Sequence, residues 1–484
     1  MEPEDHALFQ PAFDPGEDFR IAGQPAIRAP SRSARCRRLT CASRDMRSRW
    51  SFPRWWPRGF FPGSSSSFCG QDGPGRPESF RSWGSSSPGS TEGGGPTWGR
   101  RRLTVMEAEM TERDDAEMSP MPEPLRGVRG GMAGRRMLPE LLSLVVREGV
   151  LEKFRALPVF GFDELCGALH REPVYDLSRG NRRRMIRLLI DLFVECGWLE
   201  PAGTGDRWSC RRDGILRPGE VPAGTGGSDG QVDFFRRCLR IAPGYLRGKE
   251  APIAFDAENA RAWEEFLGCD EFQACRSILL DRMASTTGVS ASLLDLCHGP
   301  GWGIERAMER WPEARITAID FTDAFAESAK CRAERARARN LARRRPSPPV
   351  EWFGSSDWKG FGHPLPFPEG AFGAVLFSCG DPYIRPDARD AVYADLRRVL
   401  APGGTLGILT RGYPDPERRH VPSYWLRVTA LIHDFSESVC TGWHGFRDVA
   451  ENQEMFTRLG FRGGWNPEGA MNIVDSSLWI LKKG

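Results

Sequence analysis

The sequence predicts an α/β protein: an open, mostly parallel sheet with helices on both faces, preceded by a mostly helical domain and a disordered N-terminal tail. Three observations carry this reading. From Ser292 onward, short apolar runs alternate with helical patterns, as parallel strands joined by crossover helices require. Upstream, apolar residues recur at helical spacing and end in a hairpin pattern. The first 105 residues show neither period.

The chain has 484 residues, 40% of them hydrophobic, enough for two folded cores. Residues 1–105 hold no Lys, six Leu, Ile or Val, and 40 Gly, Pro or Ser. Such a stretch cannot bury enough apolar surface to offset backbone entropy, so residues 1–120 are expected to be a disordered tail. Trp50, Trp55, Trp56, Trp83 and Trp98 lie among Arg there without a spacing pattern. They read as an upstream stretch ahead of a start at Met106, Met110 or Met118, rather than a nucleic-acid or membrane arm. The first 105 residues carry 16 Arg against 10 acids, and the remainder 51 basic against 54 acidic residues. The net +3 therefore belongs to the tail, and the folded part is slightly acidic, which argues against a nucleic-acid partner. No run of about 18 apolar residues is present, so no membrane-spanning helix is expected. The acidic start, Met1 to Asp5, is not a secretory signal. The 13 Cys show no Cys-x-x-Cys pair and no zinc-like spacing. They are expected to be reduced thiols of a cytoplasmic protein without a metal site.

The helical domain is expected over 125–215. Leu138, Leu141, Leu142, Val145, Val146 and Val150 mark a first helix, and Asp163–His170 a second. Asn181 is a candidate N-cap for a third. That third helix puts Met185, Ile186, Leu188, Leu189, Leu192 and Phe193 on one face and Arg182, Arg183, Arg184 and Arg187 elsewhere. Trp198-Leu199-Glu200, a Gly-rich turn and Arg207-Trp208-Ser209 follow as a small hairpin. Three helices and a hairpin make a winged-helix-like pattern. The Arg run invites a DNA reading, but a charged, solvated helix face fits the acidic balance better. Residues 216–230 read as a Pro/Gly linker, and 231–285 as connecting helices over Phe234–Leu246, Ala257–Leu267 and Phe272–Met283.

The second domain is expected over 286–484. Ser292–Leu296 is a buried strand, followed by Cys297-His298-Gly299-Pro300-Gly301-Trp302-Gly303 and a helix over Ile304–Trp311. A second strand, Arg315–Ile319, ends in Asp320. A strand, a glycine loop, a helix and a second strand ending in an acid form a Rossmann-like, nucleotide-binding order. Glycines let the backbone approach a ligand, the helix N-terminus offers free N–H groups, and the acid accepts two ribose hydroxyls. A third strand ends near Ser355-Ser356-Asp357-Trp358. Leu365-Pro366-Phe367-Pro368 turns into a fourth strand that reaches Ser378. Pro386 opens a helix that runs into Leu396–Leu400, then Pro402-Gly403-Gly404 and a fifth strand to Thr410.

In this order the segments resemble the class I S-adenosyl-L-methionine-dependent methyltransferases. The resemblance covers about 286–484. It rests on Asp-Leu-x-x-Gly-Pro-Gly from Asp295, Leu-Pro-Phe-Pro from Leu365, and Leu-x-x-Val-Leu-x-Pro-Gly-Gly from Leu396. By layout, 125–245 resembles the dimerisation domain of small-molecule O-methyltransferases. The resemblance implies a seven-stranded sheet closed by Phe461–Trp465 and Ser477–Leu481, with S-adenosyl-L-methionine as cofactor. It places Asp295, Gly299 and Gly301 under the methionine end, Asp320 on the ribose and Phe321 beside the adenine. It places Asp357 on the adenine amine, Trp358 stacked on the ring and Ser378 near the sulfonium. Cys297 stands where the family usually has Gly, and Gly373 where Asp is frequent. Cys297 is not read as a nucleophile, because no base is placed to activate it.

The O-methyltransferases of this layout carry His-Asp-Trp after the fourth strand, the His acting as base. Here the segment is Ser378-Cys379-Gly380-Asp381-Pro382-Tyr383, without that His. Asp381 is the nearest ionisable substitute. Further candidate bases are His433 and His444, ahead of His420, in a segment with Tyr424, Trp425, Phe435, Trp443 and Phe446 that suits a flat small molecule. The expected protein is a homodimeric methyltransferase acting on a small molecule, at a hydroxyl of a secondary metabolite. The alternatives are methyl transfer to nitrogen or carbon of a small molecule or peptide, and a non-catalytic DNA-binding or ligand-sensing protein.

Overall fold

The computed structural model describes residues 132–178, 180–203, 205–211, 229–287, 291–413, 423–465 and 476–484. The tail with its five Trp, most of the Pro/Gly linker, His420 and the side chains of Tyr424 and Trp425 lie outside the described residues.

The first described helices are α1 (Met132–Arg147), α2 (Val150–Ala156), α3 (Phe162–Arg171) and α4 (Gly180–Glu195). A small antiparallel sheet has the order β1 (Phe160–Gly161), β3 (Arg207–Cys210), β2 (Leu199–Pro201). The hairpin is thus joined by a third strand, with the Phe160 and Trp208 rings 6.1 Å apart. The apolar face of α4, from Met185 to Phe193, is buried as its spacing predicts. The Arg run on α4 is ion-paired. Arg182 meets Asp176, Arg183 meets Asp163, and Arg184 donates to Asp434 at 2.6 Å. Arg187 lies 3.2 Å from Asp191 and 3.1 Å from Asp206. Asn181 is not the cap of α4. It lies inside the first turn and donates from Nδ2 to the carbonyls of Ser438 and Trp443, at 3.2 and 2.9 Å.

Three connecting helices follow: α5 (Asp229–Leu246), α6 (Ala260–Leu267) and α7 (Asp270–Thr287). The larger sheet then begins with β4 (Ser292–Leu296), α8 (Trp302–Arg310), β5 (Arg315–Ile319), α9 (Ala326–Ala342) and β6 (Glu351–Phe353). It continues with β7 (Phe372–Ser378), α10 (Arg389–Val399) and β8 (Leu400–Thr410). A two-strand pair, β9 (Gly412–Tyr413) and β10 (Arg447–Asp448), brackets α11 (Ser423–Glu437). The chain closes with α12 (Val449–Arg458), β11 (Phe461–Trp465) and β12 (Ser477–Lys483).

The seven strands lie in the order β11-β12-β8-β7-β4-β5-β6, with β12 antiparallel to both neighbours. Adjacent residues of β4 serve opposite faces, as a strand buried on both sides requires. Leu293 packs in one core with Met283 of α7 and Ile304 of α8, while Leu294 and Leu296 pack in another with Leu396 of α10 and Phe456 of α12. Gly407 lets α7 approach β8: a Cβ there would lie 2.2 Å from Met283 Sδ. Strand order reverses at β4, between β7 and β5. In open α/β sheets that switch point, at the strand C-termini, is where ligands bind.

Candidate active site

At the tip of β4 the backbone turns sharply. Cys297, Gly299 and Gly301 all have positive φ, at +55°, +51° and +85°. A Cβ on Gly301 would come within 2.8 Å of Ala329 Cα on α9, so only Gly lets the loop seat there. At Gly299 the nearest atom to such a Cβ would be Leu267 Cδ1, 3.6 Å away. Leu267 and Gly299 line the same cavity, so the missing side chain leaves room on the wall. At the tip of β5, Asp320 is buried and lines the cavity too. It accepts the Gly299 N–H at 2.8 Å and the Thr322 N–H at 3.1 Å. A carboxylate has about four lone-pair sites, so capacity remains for a ligand hydroxyl. Burial raises its pKa, against the nearby His298 and the backbone donors.

The cavity has a water-accessible volume of about 70 Å3. From the glycine loop it passes Ser378 and Cys379 at the tip of β7 and Thr410 and Arg411 at the end of β8. It ends among His433 and Glu437 of α11, Tyr383, Trp443 and Phe446. Trp263, Phe266 and Phe272 close it from the connecting helices, with Phe255 from the loop before α6. His433 is 3% exposed. Its ring lies 4.7 Å from that of Phe235, 4.9 Å from Phe446 and 6.0 Å from Trp443. Its Nε2 stands 3.2 Å from Glu437 Oε1, one turn along α11. That pair has charge proximity without hydrogen-bond alignment, so both ring nitrogens and Oε1 are left without a hydrogen-bond partner. Burial, then the Arg411 charge, holds the His433 pKa well below the usual imidazole value. Burial pushes the Glu437 carboxyl well above the usual range, with Arg411 opposing and Asp434 adding. Asp434, beside His433, anchors α11: it accepts from Arg184, from Tyr413 O–H at 2.5 Å and from Trp443 Nε1 at 2.7 Å. Gly134 of α1 packs against the same helix, where a Cβ would meet Thr429 Cα at 2.7 Å. Ser378 Oγ and Tyr383 O–H are also buried without partners. A cavity with few convergent polar atoms in an apolar wall is the ordinary form of a small-molecule site.

Gly299, Asp320, Phe321, Ser378 and His433 thus meet on one cavity, whereas Gly301 and Asp295 do not line it. Asp295 is fully enclosed, its Oδ2 unpartnered, and burial raises its pKa to about 7. Other expected residues sit elsewhere. Asp381 is turned inward, where it accepts from Arg389 Nη2 at 2.7 Å and from Tyr393 O–H. A saturated ion pair of this kind leaves no carboxylate at the mouth of the site. His444 is partly buried outside the cavity wall, tied through its backbone N–H to the Pro382 carbonyl at 2.8 Å. Asp357 is exposed and accepts the Gly354 N–H at 2.8 Å, closing its own turn. Trp358 is buried and donates to the His363 carbonyl at 3.0 Å, packed edge-on to Phe361. The aromatic on the cavity at this corner is Phe321, with Phe325. Arg411, Glu437, Tyr383, Phe255 and the three rings of the connecting helices were not expected as site residues. A His and Glu four apart, and Trp263 and Phe266 three apart, are the only signals of them in the sequence.

Sheet order, glycine loop and strand-tip acid have the layout of a class I methyltransferase domain. Residues 293–404 match a family model described as a methyltransferase domain. The chain is 28% identical over 159 residues to trans-aconitate 2-methyltransferase of Azoarcus sp. (strain BH72), covering 32% of this chain and 54% of that protein. It is 29% identical over 206 residues to demethylmenaquinone methyltransferase of Chlamydia pneumoniae, covering 40% of this chain and 80% of the relative. The chain thus spans about half the length of the first of these relatives. Among solved structures, the CurJ carbon methyltransferase aligns over 74% of this chain and 100% of its own, at 13% identity and a TM-score of 0.48. The methyl donor of such a domain is S-adenosyl-L-methionine, and the residues present fit it. The glycine loop leaves backbone exposed, Asp320 has capacity for a hydroxyl, and Asp295 and Ser378 each offer an unpartnered buried oxygen. Among the described residues, no helix is long and apolar enough to cross a membrane.

Proposed function

We propose that the protein transfers a methyl group from S-adenosyl-L-methionine to a hydroxyl of a small, flat molecule of secondary metabolism. The observation that carries this is His433, unpartnered and neutral, on the same cavity as Gly299, Asp320 and Ser378. In this reading 286–484 is the catalytic domain, 231–285 connects, and 125–215 is a winged-helix-like dimerisation domain of a cytoplasmic homodimer.

Bound S-adenosyl-L-methionine supplies a methyl on a sulfonium, a strong electrophile with a neutral leaving group. The protein's work is then alignment and removal of water. Asp320 holds a ribose hydroxyl, Phe321 flanks the base, and Asp295, Gly299 and Gly301 support the methionine end. The rings of Phe255, Trp263, Phe266 and Trp443 grip the acceptor. Tyr383 O–H donates to the acceptor oxygen, and His433 takes its proton at a ring nitrogen. Glu437 decides whether the ring is free to do so. The two groups stand 3.2 Å apart but unaligned; once a side-chain rotation aligns them, protonated Glu437 donates to Nε2 and the other ring nitrogen carries the hydrogen. Once ionised, it accepts from Nε2–H and leaves Nδ1 as the base. Incubation with methyl-labelled cofactor and a panel of phenols tests the reading, with product mass spectrometry to locate the methyl group. Label on nitrogen or carbon alone would overturn the hydroxyl assignment.

A further inference from the structure

Arg411, just past the end of β8, puts a charge on the cavity wall that the reading above does not use. A guanidinium stays protonated at any ordinary pH, and this one is 2% exposed. Burying it is costly unless a carboxylate meets it. The carboxylate that does so stands behind the wall. Glu271 Oε1 lies 3.5 Å from Arg411 Nη2, and the same nitrogen donates to Gln231 Oε1 at 3.0 Å. Glu271 in turn accepts from Ser476 Oγ at 2.6 Å on Oε1 and from Gln231 Nε2 at 2.9 Å on Oε2. Arg411 lines the cavity, whereas Glu271 and Gln231 do not. The pair is thus polarised, with its cation on the cavity side.

Its position says which ligand. Arg411 belongs to the aromatic end, since its charge acts on both His433 and Glu437. The β7–β8 pairing also sets it beside the reacting atoms. Ser378 pairs with Leu409, and the Cys379 N–H donates to the Leu409 carbonyl at 2.7 Å, so Arg411 directly follows the part of β8 that flanks the β7 tip. The other ionisable groups on this end of the wall do not rival its charge, because burial favours the neutral forms of His433, Glu437 and Tyr383. Asp320, the acid of the wall, lies at the glycine-loop end. A ligand that satisfies the aromatic end therefore needs a flat apolar body for Phe266, Trp443 and Phe446, and an anion for the guanidinium. Arg meets a carboxylate through two parallel N–H···O bonds. A single cation with a carboxylate already behind it suits one negative charge better than the nearly two of a phosphate monoester.

We propose that the methyl acceptor is an aromatic acid, its carboxylate received by Arg411 while its hydroxyl lies against His433. The proposal rests on the reading of this end as the acceptor site, and its test keeps the two apart. Calorimetric titration of benzoate and of benzamide into the complex with S-adenosyl-L-homocysteine reads the anion subsite without turnover. Benzoate should bind about 10- to 100-fold more tightly than benzamide, the worth of a charge-assisted contact. Arg411→Lys should keep part of that preference and Arg411→Met should abolish it, with the affinity for S-adenosyl-L-homocysteine reporting an intact fold in each. The native comparison needs no variant, so a misfolded Arg411→Met leaves the test standing. In turnover, the native chain should methylate 3- and 4-hydroxybenzoate with kcat/KM about 10-fold or more above that for their methyl esters. Equal binding of benzoate and benzamide, or a preference that survives in Arg411→Met, would overturn the proposal. If benzoate is preferred but no hydroxybenzoate gains a methyl at oxygen, the carboxylate subsite is upheld and the hydroxyl reading fails.

Discussion

At one end of the cavity the walls are the tips of β4, β5 and β7; at the other they are side chains from the connecting helices, α11 and the turn that follows it. The first end is made by backbone: positive-φ turns, N–H groups and one carboxylate whose oxygens tie the loop. The second is made by rings and a buried His–Glu pair. The difference teaches which part of the chemistry is general to the fold and which is particular to this chain. Strand tips present the same groups wherever this sheet order occurs. The aromatic end depends on how helices outside the sheet pack over it.

The comparison predicts that substitutions at the two ends separate chemistry from cofactor binding. His433→Asn should lower kcat by roughly 100- to 10,000-fold, the usual contribution of a general base. Calorimetry should show cofactor affinity unchanged, because the loop end is untouched. Asp320→Ala should do the reverse. It removes the acceptor for the ribose and for the Gly299 N–H, and should weaken cofactor binding by about 100-fold. If either variant moved both quantities equally, the two ends would not be separate parts.

The two ends also differ in how much of them could be read beforehand. Asp320 and Gly299 follow from local order, since a strand, a glycine loop and an acid at the next strand tip are neighbours in both sequence and space; Ser378 comes from the family resemblance alone. Asp357 and Trp358 show where that logic stops. They lie at the right strand end, but a turn uses the acid on Gly354 and a core takes the ring. Asp381 fails for a similar reason: whether a carboxylate after β7 faces the site depends on Arg389 and Tyr393, and no spacing reveals that they capture it. His433 was a candidate from its aromatic surroundings, whereas Arg411, Glu437 and Phe255 become neighbours only through long-range packing.

Glu437 gives the aromatic end a pH dependence of its own. Burial raises its pKa above the ordinary carboxylate range, so it holds a proton at pH values where an exposed Glu is ionised. His433, lowered by the same burial, stays neutral across that window. Rising pH ionises Glu437 and frees the His433 ring, so kcat should climb with pH through the raised value. Glu437→Gln cannot ionise. It should lose about 10-fold in kcat, less than loss of the base itself, and abolish that rising limb. An unchanged pH–rate profile in this variant would remove Glu437 from the mechanism.

The smallest effect belongs to the loop end, at the first residue of its turn. Cys297 lines the cavity with φ at +55°, a conformation that costs an L residue about 1 kcal/mol or more and Gly very little. The thiol does not repay this by reactivity. Burial raises its pKa well above the usual value, and Asp320 and Asp295 add to the shift, so it remains protonated. The side chain can therefore act only by filling space beside the cofactor and by straining the turn. Cys297→Gly should raise stability by up to about 1 kcal/mol in chemical denaturation, less whatever Gly gains in the unfolded chain. It should tighten cofactor binding if the sulfur crowds the ligand. A variant that is less stable and binds no better would show that Cys297 packs the loop, and that this end too has been adapted to the particular chain.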